Sequence, residues 1–297
     1  MKIKNPEMII NDPKKKHDFV ILFDCLRGNP NGDPDRGNAP RQDDETGQGL
    51  VTDVCLKRKI RDYVLARSDG EGMAIYVQPG TFLVTRKREA YKANGLEKGA
   101  KPDEIARVRQ WMCAQYFDIR MFGAVLVGKK GEYTGGQVKG PMQLTIGDSL
   151  HPVSASDITI TRVVPESPDE VKEGEEGIAT HGTMGRKAMI QYGLYCTKGF
   201  YSPFFGEKTG VKSDDLRMFW EALKNMWDLD RSSARGMMAC RKVVVFSHEN
   251  FFGNAPVHDL FDRVQVRLLN DPPRKYSDYE VTVDEQHLPT GVSVTIL

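Results

Sequence analysis

Residues 18–61 constrain this chain more than any other stretch. An apolar run, DFVILFDCL, is joined to a basic segment, TDVCLKRKIRDYV, through a long loop of turn-forming residues. The run is apolar and short enough for a buried strand. Within residues 27–49, fifteen of twenty-three are Gly, Pro, Asn or Asp, so this stretch sets tight turns and contributes little to a core. A connection of this length with no element of its own is usually functional or disordered. Beyond it, Thr52 and Asp53 suit a helix start, and Leu56, Ile60 and Val64 recur at i, i+4, i+8. The local reading is strand, loop, helix over 18–26, 27–51 and 52–66.

The remaining chain alternates in the same way. Residues 73–77 read as a short strand, 82–94 and 102–116 as helices, and 119–127 as a strand whose central Gly permits close approach of another backbone. Residues 157–164 (DITITRVV) alternate cleanly, a polar acidic stretch follows at 165–177, and β-like patterning resumes towards Phe200; two extended arms around a polar tip predict a long hairpin. Residues 213–229 form the clearest helix, with Ser213 as cap and Leu216, Phe219, Leu223 and Met226 as one stripe. Strands are expected at 241–247, 264–269, 279–283 and 292–296. The 297 residues, 39% hydrophobic and 28% charged, fit a folded α+β chain with a mostly antiparallel sheet.

Several classes lack support. Apolar runs such as 19–23 and 243–246 fall far short of the ~18 residues of a membrane helix, and no apolar leader is read after the basic start. Five cysteines, odd in number and without a CxxC pair, are expected to be reduced core residues in a cytoplasmic protein. The six histidines are scattered, with no zinc pattern, and no Walker A, GxGxxG or GxSxG occurs. An EF-hand reading of Asn31, Asp33 and Asp35 fails, because Arg36 stands where Gly is needed and Gln42 where the bidentate Glu belongs. No metal and no cofactor are expected.

Chemistry is therefore sought in local charge. Lys57, Arg58 and Arg61 share one edge of the predicted helix, beside its apolar stripe, where they can face a polyanion. The Gly/Asn loop and the helix N-terminus add backbone N–H groups able to cradle phosphate. Phe122 with Gly123, and Met184 with Arg186 and Lys187, combine apolar side chains with cations as single-stranded RNA binding requires. Carboxylates Asp33 and Asp35 leave a nuclease reading open; Asx turns account for the same composition.

These segments resemble a known family. NPNGDPDRGNAPRQDDETGQGLVTDVCLKRKIRDYV, with MFGAVL at 121–126, GPMQLTIGDSLHPV at 140–153 and THGTMGRKAMIQYGLY at 180–195, is similar to the backbone subunit of type I CRISPR Cascade complexes, most of all the type I-C version. The resemblance implies an RRM-like, ferredoxin-like core in one elaborated domain, 1–297. Its palm would be 18–66, 117–160 and 190–297, its helical fingers 68–116 and its thumb hairpin 160–188. It also implies a non-catalytic protein whose copies assemble along crRNA and bind phosphates without reading sequence. The guide bases then stay free to pair with target DNA in antiviral defence. Implied partners are crRNA, target DNA, further copies of the chain, and the large, small and 5′-handle-binding Cascade subunits. Lys57, Arg58 and Arg61 would grip phosphate, while Arg27, Asn29, Asn31, Arg41 and Thr52 line the RNA path. Phe122, Gly123, Lys139 and Gln143 would add to it, and Met184, Arg186 and Lys187 act near an RNA kink. In related type III subunits a loop Asp cleaves target RNA, so Asp33 and Asp35 remain the catalytic alternative. A general single-stranded RNA binder is the other.

Overall fold

A computed structural model describes residues 6–67, 70–128, 132–162, 164 and 183–297. In chain order the first elements are α1 (Pro6–Ile10), β1 (His17–Gly28), β2 (Gly32–Asp33), β3 (Ala39–Pro40), β4 (Gln48–Val51), α2 (Asp53–Arg67), α3 (Leu83–Ala93), α4 (Pro102–Gln115) and α5 (Phe117–Phe122). Then follow β5 (Gly123–Leu126), β6 (Gly136–Lys139), β7 (Met142–Leu144), β8 (Gly147–Pro152), β9 (Ala155–Arg162), β10 (Thr183–Tyr201), α6 (Pro203–Thr209) and α7 (Ser213–Asn225). The chain closes with β11 (Met237–His248), α8 (Val257–Phe261), β12 (Val264–Leu268), β13 (Tyr279–Val283) and β14 (Val292–Ile296).

The main sheet runs β14-β11-β1-β10-β8-β4, with β7 and β9 also on β10, and each of these pairings is antiparallel. Its inner order β11-β1-β10-β7, with α2 after β1 and α7 between β10 and β11, is the ferredoxin-like arrangement. Alternation along β1 explains the unbroken apolar run. Phe19, Ile21, Phe23 and Cys25 pack with Leu56, Ile60 and Val64 of α2 and Leu216, Phe219 and Leu223 of α7. Val20 and Leu22 point the other way, into a second cluster with Leu194, Phe261 and Tyr279. Each such side chain removed from water contributes about 1.5–3 kcal/mol.

That second cluster has a functional consequence. In RNA-recognition modules the open sheet face stacks bases; here α8 and the β12–β13 hairpin pack on it. A nucleic acid is left the sheet's ends, edges and loops.

The structure corrects several local expectations. Residues 117–122 are helical, so the expected strand at 119–127 shrinks to β5, because Phe117, Ile119, Met121 and Phe122 bury on several sides. Residues 73–77 form only an isolated bridge, Ala74 to Tyr116. α7 ends at Asn225 and continues as a 3-10 turn, Met226–Asp228, and its N-terminus is closed by Asp215, which accepts from the Lys212 N–H at 2.8 Å, in place of Ser213. The 27–51 loop also has structure: β2 pairs with β3, and β4 joins the main sheet.

The expected hairpin arms are present, since β9 pairs antiparallel with the first part of β10 from Ile190↔Ala155 to Thr183↔Arg162. The acidic stretch between them lies outside the described residues. α3 and α4 form a separate small core with Leu126 and Val138 of the β5–β6 hairpin. Among the described residues no helix is long and apolar enough to cross a membrane.

Candidate nucleic-acid interface

The loop after β1 is fixed to the start of α2 by side-chain caps. Asn31 Oδ1 accepts from the Thr52 N–H at 2.9 Å and from the Thr52 hydroxyl at 3.0 Å, and Thr52 Oγ1 accepts from the Cys55 N–H at 3.2 Å. This is the N-cap expected of Thr52, and it occupies amide groups that the sequence reading offered to phosphate. Asn29 is buried; its Nδ2 donates to the Asn38 carbonyl at 2.7 Å, while its Oδ1 has no hydrogen-bond partner among the described residues. Arg27 is exposed at the end of β1 with a left-handed φ of 48°. Arg41 lies 3.6 Å from Asp33.

The three helix cations divide. Lys57 pairs with Asp53 at 2.9 Å, reaches Gln143 Oε1 at 3.4 Å and stands 5.7 Å over the Phe122 ring. Arg61 stands 5.3 Å from the same ring, but its Nε donates to the Asp118 carboxylate at 2.8 Å and only 12% of its side chain is exposed. Arg58 pairs with Asp62 and is 36% exposed, the most open of the three. Lys57, like Arg61, is only 12% exposed and packs over Phe122, so both are partly structural, whereas Arg58 sits in an open i,i+4 pair that phosphate can displace at small cost.

Around Phe122 the backbone closes tightly. Gly123 has φ 78°, and a Cβ there would lie 2.5 Å from both the Val138 carbonyl oxygen and the Gly140 amide nitrogen. Only glycine permits this approach, which brings Gly123 opposite Lys139 in the β5–β6 ladder. Gln143 donates to the Gly140 carbonyl at 3.1 Å. The structure therefore brings Lys57, Arg61, Phe122, Gly123, Lys139 and Gln143 into one neighbourhood, from three distant segments.

Another participant has no sequence signal. Arg235 follows α7 in a Ser/Gly turn, and its Nη1 donates to the carbonyls of Asn29 and Pro30 at 3.1 and 3.2 Å. Gly28 lies so close that a Cβ would fall 1.9 Å from the Arg235 carbonyl oxygen. Lys187, at the root of the hairpin, donates to Ser233 Oγ in the same turn at 3.0 Å. Loop, turn and hairpin root therefore meet. Arg186 is exposed on the arm, and Met184 lies on β10 with its side chain outside what is described. Nothing in the sequence ties residues 233–235 to 28–30, two hundred positions away; only strand order does.

Asp33 is mainly architectural: its carboxylate accepts from the Asp35 N–H at 3.2 Å, capping the turn Pro34–Arg36, and faces Arg41. Asp35 is exposed. Among the described residues no group of three or more His, Cys, Asp or Glu is placed to hold a metal ion.

A ferredoxin-like sheet covered on both faces, with a cation-bearing margin and a projecting hairpin, defines an elaborated RRM-like α+β protein. The chain belongs to the family "CRISPR-associated protein Cas7", whose model matches residues 15–284. A curated relative of that name from Haloferax volcanii is 25% identical over 231 residues, covering 71% of this chain; the match spans 64% of the relative's length. A solved structure described as "CRISPR RNA-guided surveillance complex, pre-nicking" shares the fold, with a TM-score of 0.50, 14% identity and 78% of each chain covered. A chain of a type III-B Cmr-beta complex bound to cognate target RNA aligns more loosely, with a TM-score of 0.41, 9% identity, and 78% of this chain and 61% of that one covered.

Proposed function

We propose that this chain is a backbone subunit of a type I CRISPR effector, of the type I-C kind, which binds crRNA and has no chemistry of its own. Copies assemble along one guide RNA and leave its bases free for target DNA. In this reading the sheet, α2 and α7 are the palm, α3 and α4 the fingers, and the β9–β10 hairpin the thumb. Lys57 and Arg58 hold phosphates from the edge of α2. Arg27, Asn29, Asn31, Arg41 and Thr52 shape the path, and Arg186 and Lys187 act where the hairpin leaves the sheet. The same assembly provides for docking of the large, small and 5′-handle-binding subunits.

The observation that carries this reading is the cationic margin gathered around Phe122 beside a sheet whose faces are both filled. Such a margin offers cations to phosphate, as a sequence-independent holder requires. The exposed arm of β9, solvated along its whole length, is consistent with a hairpin that works against something other than its own core.

Co-purification tests the proposal. The chain expressed with a CRISPR array should carry RNA of uniform length containing repeat sequence, in particles whose mass grows with spacer length. One-to-one complexes on RNA of any length would reject it.

A further inference from the structure

A second surface lies beyond Lys139. Four phenylalanines from two separate FF pairs come together: Phe204 and Phe205 in α6, and Phe251 and Phe252 in the loop after β11. Phe204 meets Phe205 at 5.2 Å and Phe251 at 6.5 Å, and Phe251 meets Phe252 at 5.2 Å, all edge-to-face at 71–88°. Phe252 is 82% exposed and Phe204 41% exposed. Edge-to-face packing leaves ring faces unstacked on one another.

The patch is also basic. Lys208 stands 3.8 Å over the Phe204 ring and Lys139 stands 5.6 Å over Phe205. The chain before β1 runs alongside: the Tyr201 hydroxyl, packed against α6, donates to the Pro13 carbonyl at 3.0 Å, and Lys16 lies against Gly253 with its ammonium paired to the buried Asp18 at 2.6 Å. Protein-docking surfaces are enriched in aromatics but depleted in Lys. An aromatic cluster threaded with ammonium groups fits a different occupant, a single strand whose bases stack while its phosphates follow the cations. Lys139 belongs to the Phe122 neighbourhood too, so the two surfaces are continuous.

We infer that the Phe204–Phe205–Phe251–Phe252 cluster, with Lys208 and Lys139, is a second binding surface for single-stranded nucleic acid, recognising stacked bases and phosphates without sequence preference. The inference stands apart from the α2 margin and rests on the proposed function only in the continuity through Lys139.

The test is fluorescence anisotropy of the full chain with labelled oligo-dT and oligo-rU of about 30 nucleotides, across a salt series. Phe252→Ala alone removes a side chain that is mostly in solvent and should weaken binding at least about fivefold. Phe204→Ala with Phe252→Ala should weaken it further, with an unchanged circular-dichroism melt. Lys208→Gln should lower the slope of log affinity against log salt by about 0.7. Photocrosslinking of 5-iodouridine RNA should label peptides containing Phe252 or Phe204. The double alanine variant binding both oligonucleotides like the parent, with crosslinks confined to residues 53–143, overturns the inference and leaves the α2 margin standing. Losses in the Phe variants with none in Lys57→Ala and Arg58→Ala support the inference while removing the α2 site.

Discussion

Arg61 and Asp118 form a buried ion pair, Nε to Oδ2 at 2.8 Å, where α2 meets α5. Asp118, with 1% of its side chain exposed, also accepts from the backbone N–H groups of Tyr76 at 2.8 Å and Val77 at 3.0 Å. One carboxylate thus ties the α2 cation edge to the segment preceding α3. Because its charge is met by three donors, its removal leaves each of them unmatched.

Asp118→Ala should therefore destabilise the chain by about 3–5 kcal/mol. Arg61→Ala should cost less, since the carboxylate keeps its two amide partners. Urea midpoints of the two variants check the order. An Asp118→Ala loss no larger than that of an exposed substitution would contradict the hub.

Arg58→Ala should act on RNA and little on folding, because its open i,i+4 pair is worth about 0.3–0.5 kcal/mol; Lys57→Ala should act on RNA too, with a larger folding cost, because its mostly covered side chain also packs on Phe122. Each is expected to reduce the salt slope of RNA binding by about 0.7. Filter binding from low to moderate salt measures this. Parallel lines for parent and variants mean that neither side chain touches phosphate.

Gly123→Ala should damage both structure and binding. The alanine methyl has no room between the Val138 carbonyl and the Gly140 amide, and left-handed strain adds about 1–3 kcal/mol. A fall in thermal midpoint with loss of RNA affinity is expected, larger than for Gly95→Ala, which is also left-handed but open.

Acid should weaken the fold through His17. Burial pushes this imidazole down from 6.5 to about 4, and it sits neutral with Ser247 Oγ at 2.9 Å and the Asp12 carbonyl at 3.2 Å. The unfolded chain then binds the proton first, so the contribution is complete above pH 6.5 and is lost as pH falls towards 4, by about 3 kcal/mol. Asp24 works oppositely, because burial raises its pKa and the folded state gains protons first. The difference in stability between parent and His17→Gln, followed from pH 7 to 4, isolates the histidine; a flat difference would refute its role.

Asp33→Ala tests the nuclease alternative. The cap and the Arg41 contact predict a loss of about 1 kcal/mol, with RNA staying intact over long incubation with divalent metal in parent and variant alike. Cleavage by the parent that the variant lacks would restore the catalytic reading.

The sequence by itself determined the elements governed by local rules. The apolar run of β1, the Thr52 cap, the stripe Leu56–Ile60–Val64 and the hairpin arms were legible because periodicity and capping act within a few residues. It misplaced residues 119–122, where an apolar stretch bounded by glycine fits strand and helix equally well.

Tertiary structure decided the rest. The run KRKIR is one charge cluster in sequence, yet Lys59 is buried against Asp230, Arg61 is held by Asp118, Lys57 is mostly covered beside Asp53, and Arg58 is the most open of the four. Which member is buried depends on carboxylates brought in from 57 to 171 positions away. The closeness of Gly28 to Arg235, of Gly123 to Gly140 and of the two FF pairs depends likewise on strand order. Long-range partners carry no local signature, because a side chain's cost or freedom as a charge is set by the neighbours the fold supplies.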